Sequence, residues 1–197
     1  MYDAPERDIE ISKQELGKTG KELPGAEMIL KNADGKVIDQ WISGKKPHQM
    51  NLPSGTYTLI EKTAPDGYAT AEQITFNVKR TRKGDYKIQK VVMKDAPTRL
   101  RISKTDLTDA KPVIGAVLEI RDRKGKCIER WTTDQKPHTI RKIPVGKYTL
   151  TEITAPDGYE KAETVSFEVK DTSRIQKVEM KDRPSPKEKE TEKKKHP

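Results

Sequence analysis

The sequence predicts an all-β chain, two tandem β-sandwiches followed by a disordered charged tail. Three observations carry this. Apolar residues alternate with period two, turn residues recur roughly every 8 to 12 positions, and one long pattern appears twice. The 197 residues would allow one large domain or two small ones, and the repeat decides for two. Charged residues make up 36% and apolar ones 31%, so each core is thin and needs help beyond burial. With Cys127 as the single cysteine, that help is neither an internal disulfide nor a cysteine-based zinc site. No run approaches 18 apolar residues, so no membrane insertion is expected, and no leader follows Met1.

The repeat is read directly. Tyr57-Thr-Leu-Ile-Glu61-Lys-Thr-Ala-Pro65-Asp-Gly-Tyr68 recurs as Tyr148-Thr-Leu-Thr-Glu152-Ile-Thr-Ala-Pro156-Asp-Gly-Tyr159. Ile11-Ser-Lys13 recurs as Ile102-Ser-Lys104, and Val91-Val-Met-Lys-Asp95 as Val178-Glu-Met-Lys-Asp182. Trp41 matches Trp131, and Lys46-Pro47-His48 matches Lys136-Pro137-His138. The second copy is four residues shorter around Thr81 to Lys87. The expected boundaries are 9–96 and 100–183, joined by a stiff connector at 97–99 around Pro97. Asp3-Ala4-Pro5 precedes Lys13 much as Asp95-Ala96-Pro97 precedes Lys104, so residues 1–8 are expected to be the remnant of a preceding repeat. Residues 184–197 carry five lysines, three glutamates and no apolar residue larger than proline, which predicts a disordered tether.

The strands follow in order. Ile9 to Lys13, Thr56 to Glu61 and Val165 to Val169 alternate or are rich in β-branched and aromatic residues. The Pro65-Asp-Gly and Pro156-Asp-Gly segments are turns, with proline presetting φ and glycine accepting a positive φ. Trp41 and Trp131 are expected to cap the cores. Cys127, standing where the first copy has Val37, is expected to be a small buried hydrophobe, and His48 and His138 surface turn residues.

Strand parity exposes an anomaly. Ile9, Ile11 and Lys13 share a face, as do Tyr57, Leu59 and Glu61, and Val91, Met93 and Asp95. The second copy repeats this with Lys104, Glu152 and Asp182. Each repeat thus places a lysine, a glutamate and an aspartate on the core side of three different strands. Keeping three buried charges apart would cost several kcal/mol per ion. Burial instead favours the neutral amine and the neutral acid. A neutral amine is a nucleophile, a protonated carboxyl can lose water to it, and a third carboxyl can shuttle the proton. The product is an amide between the Lys and Asp side chains. The competing reading is a partly buried salt bridge near the strand ends. Recurrence of the trio, and its linking of first strand to last, favour the amide.

These segments resemble the collagen-adhesin B-type, or SpaA-like, domains of Gram-positive surface proteins. The Tyr-x-Leu-x-Glu-x-x-Ala-Pro-x-Gly-Tyr segment matches that family's "E-box", with Ile-Ser-Lys before it and Val-x-Met-x-Asp after it. The resemblance covers about residues 9 to 183. It implies a transthyretin-like (prealbumin-like) sandwich of Ig-like, Greek-key type and spontaneous intramolecular isopeptide bonds. Lys13 and Lys104 would be the nucleophiles, Asp95 and Asp182 the acceptors, Glu61 and Glu152 the catalytic acids. Many relatives carry Asn as acceptor; this sequence has Asp, like the streptococcal fibronectin-binding-protein domain behind the split tag–catcher pairs.

The expected function is a structural stalk or spacer module of a cell-wall-anchored, extracellular Gram-positive surface protein, an adhesin or pilin-like protein. It would be stiffened by self-formed bonds, with neighbouring repeats and peptidoglycan as partners through a C-terminal anchor that this sequence lacks. No cofactor or metal is expected, and no enzyme activity beyond the single intramolecular turnover. The rival is a ligand-binding adhesin domain for a host matrix protein or another surface, although no exposed aromatic cluster marks a site. Nucleic-acid binding is disfavoured, because the net charge of +9 sits partly in the tail and elsewhere lacks interleaved aromatics.

Overall fold

A computed structural model describes residues 6–18, 20–80 and 87–186. Of the expected repeat remnant only residues 6–8 are among these, and of the tail only 184–186; the rest of both lies outside the described residues, as does nearly all of the segment where the copies differ in length.

Among the described residues every regular element is a β-strand. The first repeat forms β1 (Arg7–Glu15), β2 (Glu27–Asn32), β3 (Val37–Ile42), β4 (His48–Leu52), β5 (Gly55–Thr63), β6 (Ile74–Val78) and β7 (Gln89–Asp95). They pair as a three-stranded sheet, β4-β1-β7, facing a four-stranded sheet, β3-β2-β5-β6. The second repeat forms β8 (Arg99–Asp106), β9 (Val117–Asp122), β10 (Cys127–Thr132), β11 (His138–Arg141), β12 (Gly146–Thr154), β13 (Val165–Val169) and β14 (Ile175–Asp182). Its sheets, β11-β8-β14 and β10-β9-β12-β13, repeat the same order. The chain is therefore two β-sandwiches in tandem.

In the first sandwich β1 lies antiparallel to β4 but parallel to β7. A parallel pair cannot be closed by a hairpin and needs a crossover, which here runs from β2 to β6 and takes in the whole second sheet as well as β4. The first and last strands consequently end up side by side. Their register sets Lys13 opposite Met93 and Glu15 opposite Asp95, so Lys13 and Asp95 are diagonal neighbours on one face. Alternation fills the space between the sheets with Ile9, Ile11, Met28, Leu30, Leu59 and Met93. Leu100, Ile102, Leu118, Ile120, Leu150 and Met180 do the same in the second sandwich.

Several local expectations change. Pro65 supplies the first carbonyl of its turn, accepting from Tyr68 N at 3.1 Å; Asp66 takes the corner and Gly67 follows at φ +85°. Cys127 is exposed, as is Val37. Both open an edge strand, and the register slips between Cys127 and Glu129, so core alternation does not reach them. His48 and His138 begin strands rather than lie in turns. Each stacks on its tryptophan, His48 on Trp41 at 4.1 Å and His138 on Trp131 at 4.3 Å, because β3–β4 and β10–β11 meet at the open edges of the sandwiches. Trp41 is partly buried and packs on the core as expected.

Candidate functional site

All six residues singled out by parity are buried, none more than 5% exposed: Lys13, Glu61 and Asp95 in one sandwich, Lys104, Glu152 and Asp182 in the other. Each trio is brought together. Lys13 Nζ is hydrogen-bonded to Asp95 Oδ1 across the parallel pair, and Lys104 Nζ to Asp182 Oδ1. The glutamate arrives from the facing sheet, with Glu61 Oε1 3.0 Å from Lys13 Nζ and Glu152 Oε1 3.2 Å from Lys104 Nζ.

The strands explain this convergence. Glu61 pairs opposite Met28, the register slips between Glu27 and Met28, and Lys62 is left as the extra residue. Glu152 likewise pairs opposite Leu118, with Ile153 extra. In both sandwiches a bulge directly follows the glutamate, ending its strand's alternation where the carboxyl points inward.

The electrostatics are unusual for ion pairs. Burial, only partly opposed by Lys13 and reinforced by Glu61, pushes the Asp95 carboxyl up to about 7. Burial raises Asp182 in the same way, with Lys104 opposing and Glu152 adding. Asp95 Oδ2 and Asp182 Oδ2 are buried without a hydrogen-bond partner. Glu61 Oε1 and Glu152 Oε1 are close to their lysines, yet poorly aligned for a hydrogen bond. A buried acceptor left without a donor costs ~1–3 kcal/mol. The trio is crowded, dry and under-satisfied: an amine touching a carboxyl that leans towards its neutral form, with a second carboxyl against both.

Parity did not reveal the surrounding supports. Ala71 N donates to Glu61 Oε2 at 2.7 Å, and Ala162 N to Glu152 Oε2 at 2.6 Å. The hydroxyl of Tyr68 donates to Glu15, and that of Tyr159 to Asp106, each at 2.9 Å. Ser43 Oγ accepts from Ala26 N and donates to Leu23 O; Thr133 Oγ1 does the same between Ala116 N and Val113 O. The signal was present. For the side-chain supports, an acid stands two residues after each lysine and a hydroxyl residue two after each tryptophan.

Comparison with known proteins agrees with this architecture. The SpaA prealbumin-like fold domain matches twice, over residues 7–92 and 98–184. The pilus tip adhesin Cpa of Streptococcus pyogenes is 39% identical over 70 residues, covering 34% of this chain and 10% of that protein. The solved structure of the Bacillus anthracis TIE protein is 30% identical with TM-score 0.55, over 91% of this chain and 34% of that one. A C-terminal fragment of the pilus adhesin SpaC from Lactobacillus rhamnosus GG matches over 90% of this chain and 98% of that one, at TM-score 0.50 and 15% identity, a likeness of fold alone. The chain spans about a tenth of Cpa and about a third of the TIE protein. The chain belongs to the family of SpaA prealbumin-like fold domains and carries two copies in tandem.

Proposed function

We propose that each sandwich staples itself with a Lys–Asp isopeptide bond, Lys13 to Asp95 and Lys104 to Asp182, and that the pair serves as a stalk module of an extracellular, wall-attached surface protein of the pilus or adhesin type. The observation that carries this reading is the dry convergence, twice over, of an amine, an acceptor carboxyl raised by burial and a second carboxyl. The neutral Lys13 Nζ attacks Asp95 Cγ. Glu61 accepts a proton from the nitrogen and returns it to the departing oxygen. The C–N bond forms, the C–O bond breaks, one water leaves, and Glu61 ends as it began. Glu152 does the same for Lys104 and Asp182. No external substrate is turned over.

The consequence is mechanical. Tension along the chain enters the first sandwich at β1 and leaves at β7, the two parallel neighbours. A covalent bridge between them carries the load past the 82 positions from Lys13 to Asp95. By the chain-entropy estimate for cross-links, closing such a loop adds ~4–5 kcal/mol. A thin core then suffices, and no oxidising compartment is needed. The pilus tip adhesin among the similar proteins supports a place on a cell surface. Electrospray mass measurement of the denatured protein tests the chemistry. Two missing waters are expected; the full unmodified mass would refute the covalent reading.

A further inference from the structure

We propose that the segment after each Pro-Asp-Gly turn, Tyr68 to Ala71 in the first sandwich and Tyr159 to Ala162 in the second, is a positioning strap that aligns the three reacting groups. The inference rests on the condensation reading above and assigns it a part that neither parity nor family membership supplies.

The need for a strap is geometric. Strand pairing fixes the lysine against the aspartate, because β1 and β7 are hydrogen-bonded neighbours. It does not fix the glutamate, which comes from the facing sheet; the polar contacts between the sheets at His48–Asp39 and Gln89–Asn77 lie at other positions and leave the carboxyl's own orientation open, which amide formation does not tolerate. In the first sandwich the strap reaches all three strands. Tyr68 Oη donates to Glu15 Oε2 at 2.9 Å, two residues beyond Lys13. Ala69 N donates to Ala96 O at 2.9 Å, one residue beyond Asp95. Ala71 N donates to Glu61 Oε2 at 2.7 Å. The second strap repeats every contact: Tyr159 to Asp106 at 2.9 Å, Glu160 N to Arg183 O at 2.9 Å, and Ala162 N to Glu152 Oε2 at 2.6 Å.

The residues between the anchors differ, Ala69-Thr70 against Glu160-Lys161, while the donors are kept. Two of the three donors are backbone amides, so the strap's path matters more than its intervening side chains. The amide of Ala71 also selects an oxygen. A carboxylate free about its last torsion presents either oxygen to the amine, whereas one held through Oε2 presents Oε1, the atom that faces Lys13 at 3.0 Å. Tyr68 and Ala71 touch the glutamate and the lysine strand rather than the bond being made, so they are positioning residues.

The test uses the full chain, with the second sandwich as internal clock. After a short pulse of synthesis, peptide mass mapping follows the cross-linked fraction of each sandwich with time. Ala71→Pro removes the amide donor and is expected to slow the first bond at least ~tenfold, the loss for a hydrogen bond to a charged group. Tyr68→Phe removes one oxygen and is expected to slow it ~threefold or more. Both should leave the second bond on time, and Glu72→Ala, just beyond the strap, should leave both unchanged. A merely structural strap would show differently. Placed in the unreactive Glu61→Gln background, the same substitutions would then lower the melting temperature sharply, and in the reactive chain they would leave the rate per folded molecule unchanged. Should Ala71→Pro fail to fold, Tyr68→Phe decides alone. If the parent shows both missing waters and the folded variants match its rate, the strap is refuted and the condensation stands. If the parent shows none, both fall together.

Discussion

The two sandwiches share a buried trio atom for atom and differ over much of their surface, and the difference separates what the module requires from what it tolerates. The Lys, Glu and Asp, the bulge behind the glutamate and the strap contacts occur in both. On the outer face of the four-stranded sheets the copies part. Ile29 pairs with Gln40 in the first, and Glu119 with Arg130 in the second. Beyond the lysine strand, Glu15 accepts from Tyr68 and lies 3.2 Å from Lys18. Asp106, in the same place, is bound by its own loop through Thr108. The interior chemistry is fixed and the exterior is free.

The largest effect should come from unlinking one sandwich at a time. Lys13→Ala is expected to restore one water to the mass and lower the melting temperature of the first sandwich by roughly 20 °C. This follows from a cross-link worth ~4–5 kcal/mol at several degrees per kcal/mol in so small a domain. It also leaves Glu61 and Asp95 facing each other without a cation. Lys104→Ala should do the same to the second sandwich alone. Calorimetry showing one sandwich indifferent to its lysine would break the equivalence of the trios.

Unlinked sandwiches should also respond to pH in a way ordinary surfaces do not. Glu61→Gln blocks the proton shuttle but keeps the burial that is the main cause of the raised Asp95. An acid whose folded value lies above its ordinary 3.8 binds more protons folded than unfolded. Its cost is absent below about pH 4, grows as pH rises, and is complete above about 7. The first sandwich of this variant should therefore melt lower at pH 8 than at pH 5, and Glu152→Gln should give the second the same direction through Asp182. A flat profile would show that neither aspartate is held in a dry site.

How much of this was legible in the sequence follows from its physics. The trio could be found because strand parity is rigid: a charged residue two positions after two core residues must point inward, as Lys13 does after Ile9 and Ile11. The strap contacts were hidden because two of their donors are backbone amides, which any residue but proline supplies, and position 71 does not announce what its N–H meets. Cys127 was misjudged because parity fails where an edge strand slips register. His48 was misjudged because Lys-Pro looks like a turn, whereas a stacking partner seven residues earlier, Trp41, and a hydrogen-bond partner nine earlier, Asp39, pull the histidine into a strand. Alternation predicts direction well in central strands and poorly at edges.

A smaller effect distinguishes the outer faces. Glu119 accepts from Arg130 Nε at 2.8 Å and from Arg121, and these guanidinium groups, Arg130 first, hold its carboxyl below the usual carboxylate range. Arg130→Gln, the residue of the first copy, should lower the second sandwich's melting temperature by a few degrees. Adding Glu119→Ile should recover it, because the buried acceptor disappears with its donor. Non-recovery in the double variant would mean that the pair does more than offset its own burial.

The smallest effect lies in the loop after the lysine strand and appears only in acid. Thr108 donates to Asp106 Oδ1 through both its backbone N–H and its hydroxyl, each at 2.6 Å. These bonds, the hydroxyl's foremost, lower the Asp106 carboxyl from 3.8 to about 2. A carboxyl lowered by folding stabilises fully above its ordinary value and loses that contribution as pH falls from about 4 to about 2. Thr108→Ala should therefore reduce the melting temperature of the second sandwich above pH 4 and narrow the gap between variant and parent as pH approaches 2, with the first sandwich unmoved. The reverse graft is not available to the first copy. Position 17, two after Glu15, is a glycine at φ +85°, where a threonine would be strained. Gly17→Thr should thus destabilise the first sandwich where Thr108 stabilises the second. The loop's backbone, rather than its chemistry alone, decides which copy can anchor its own acid.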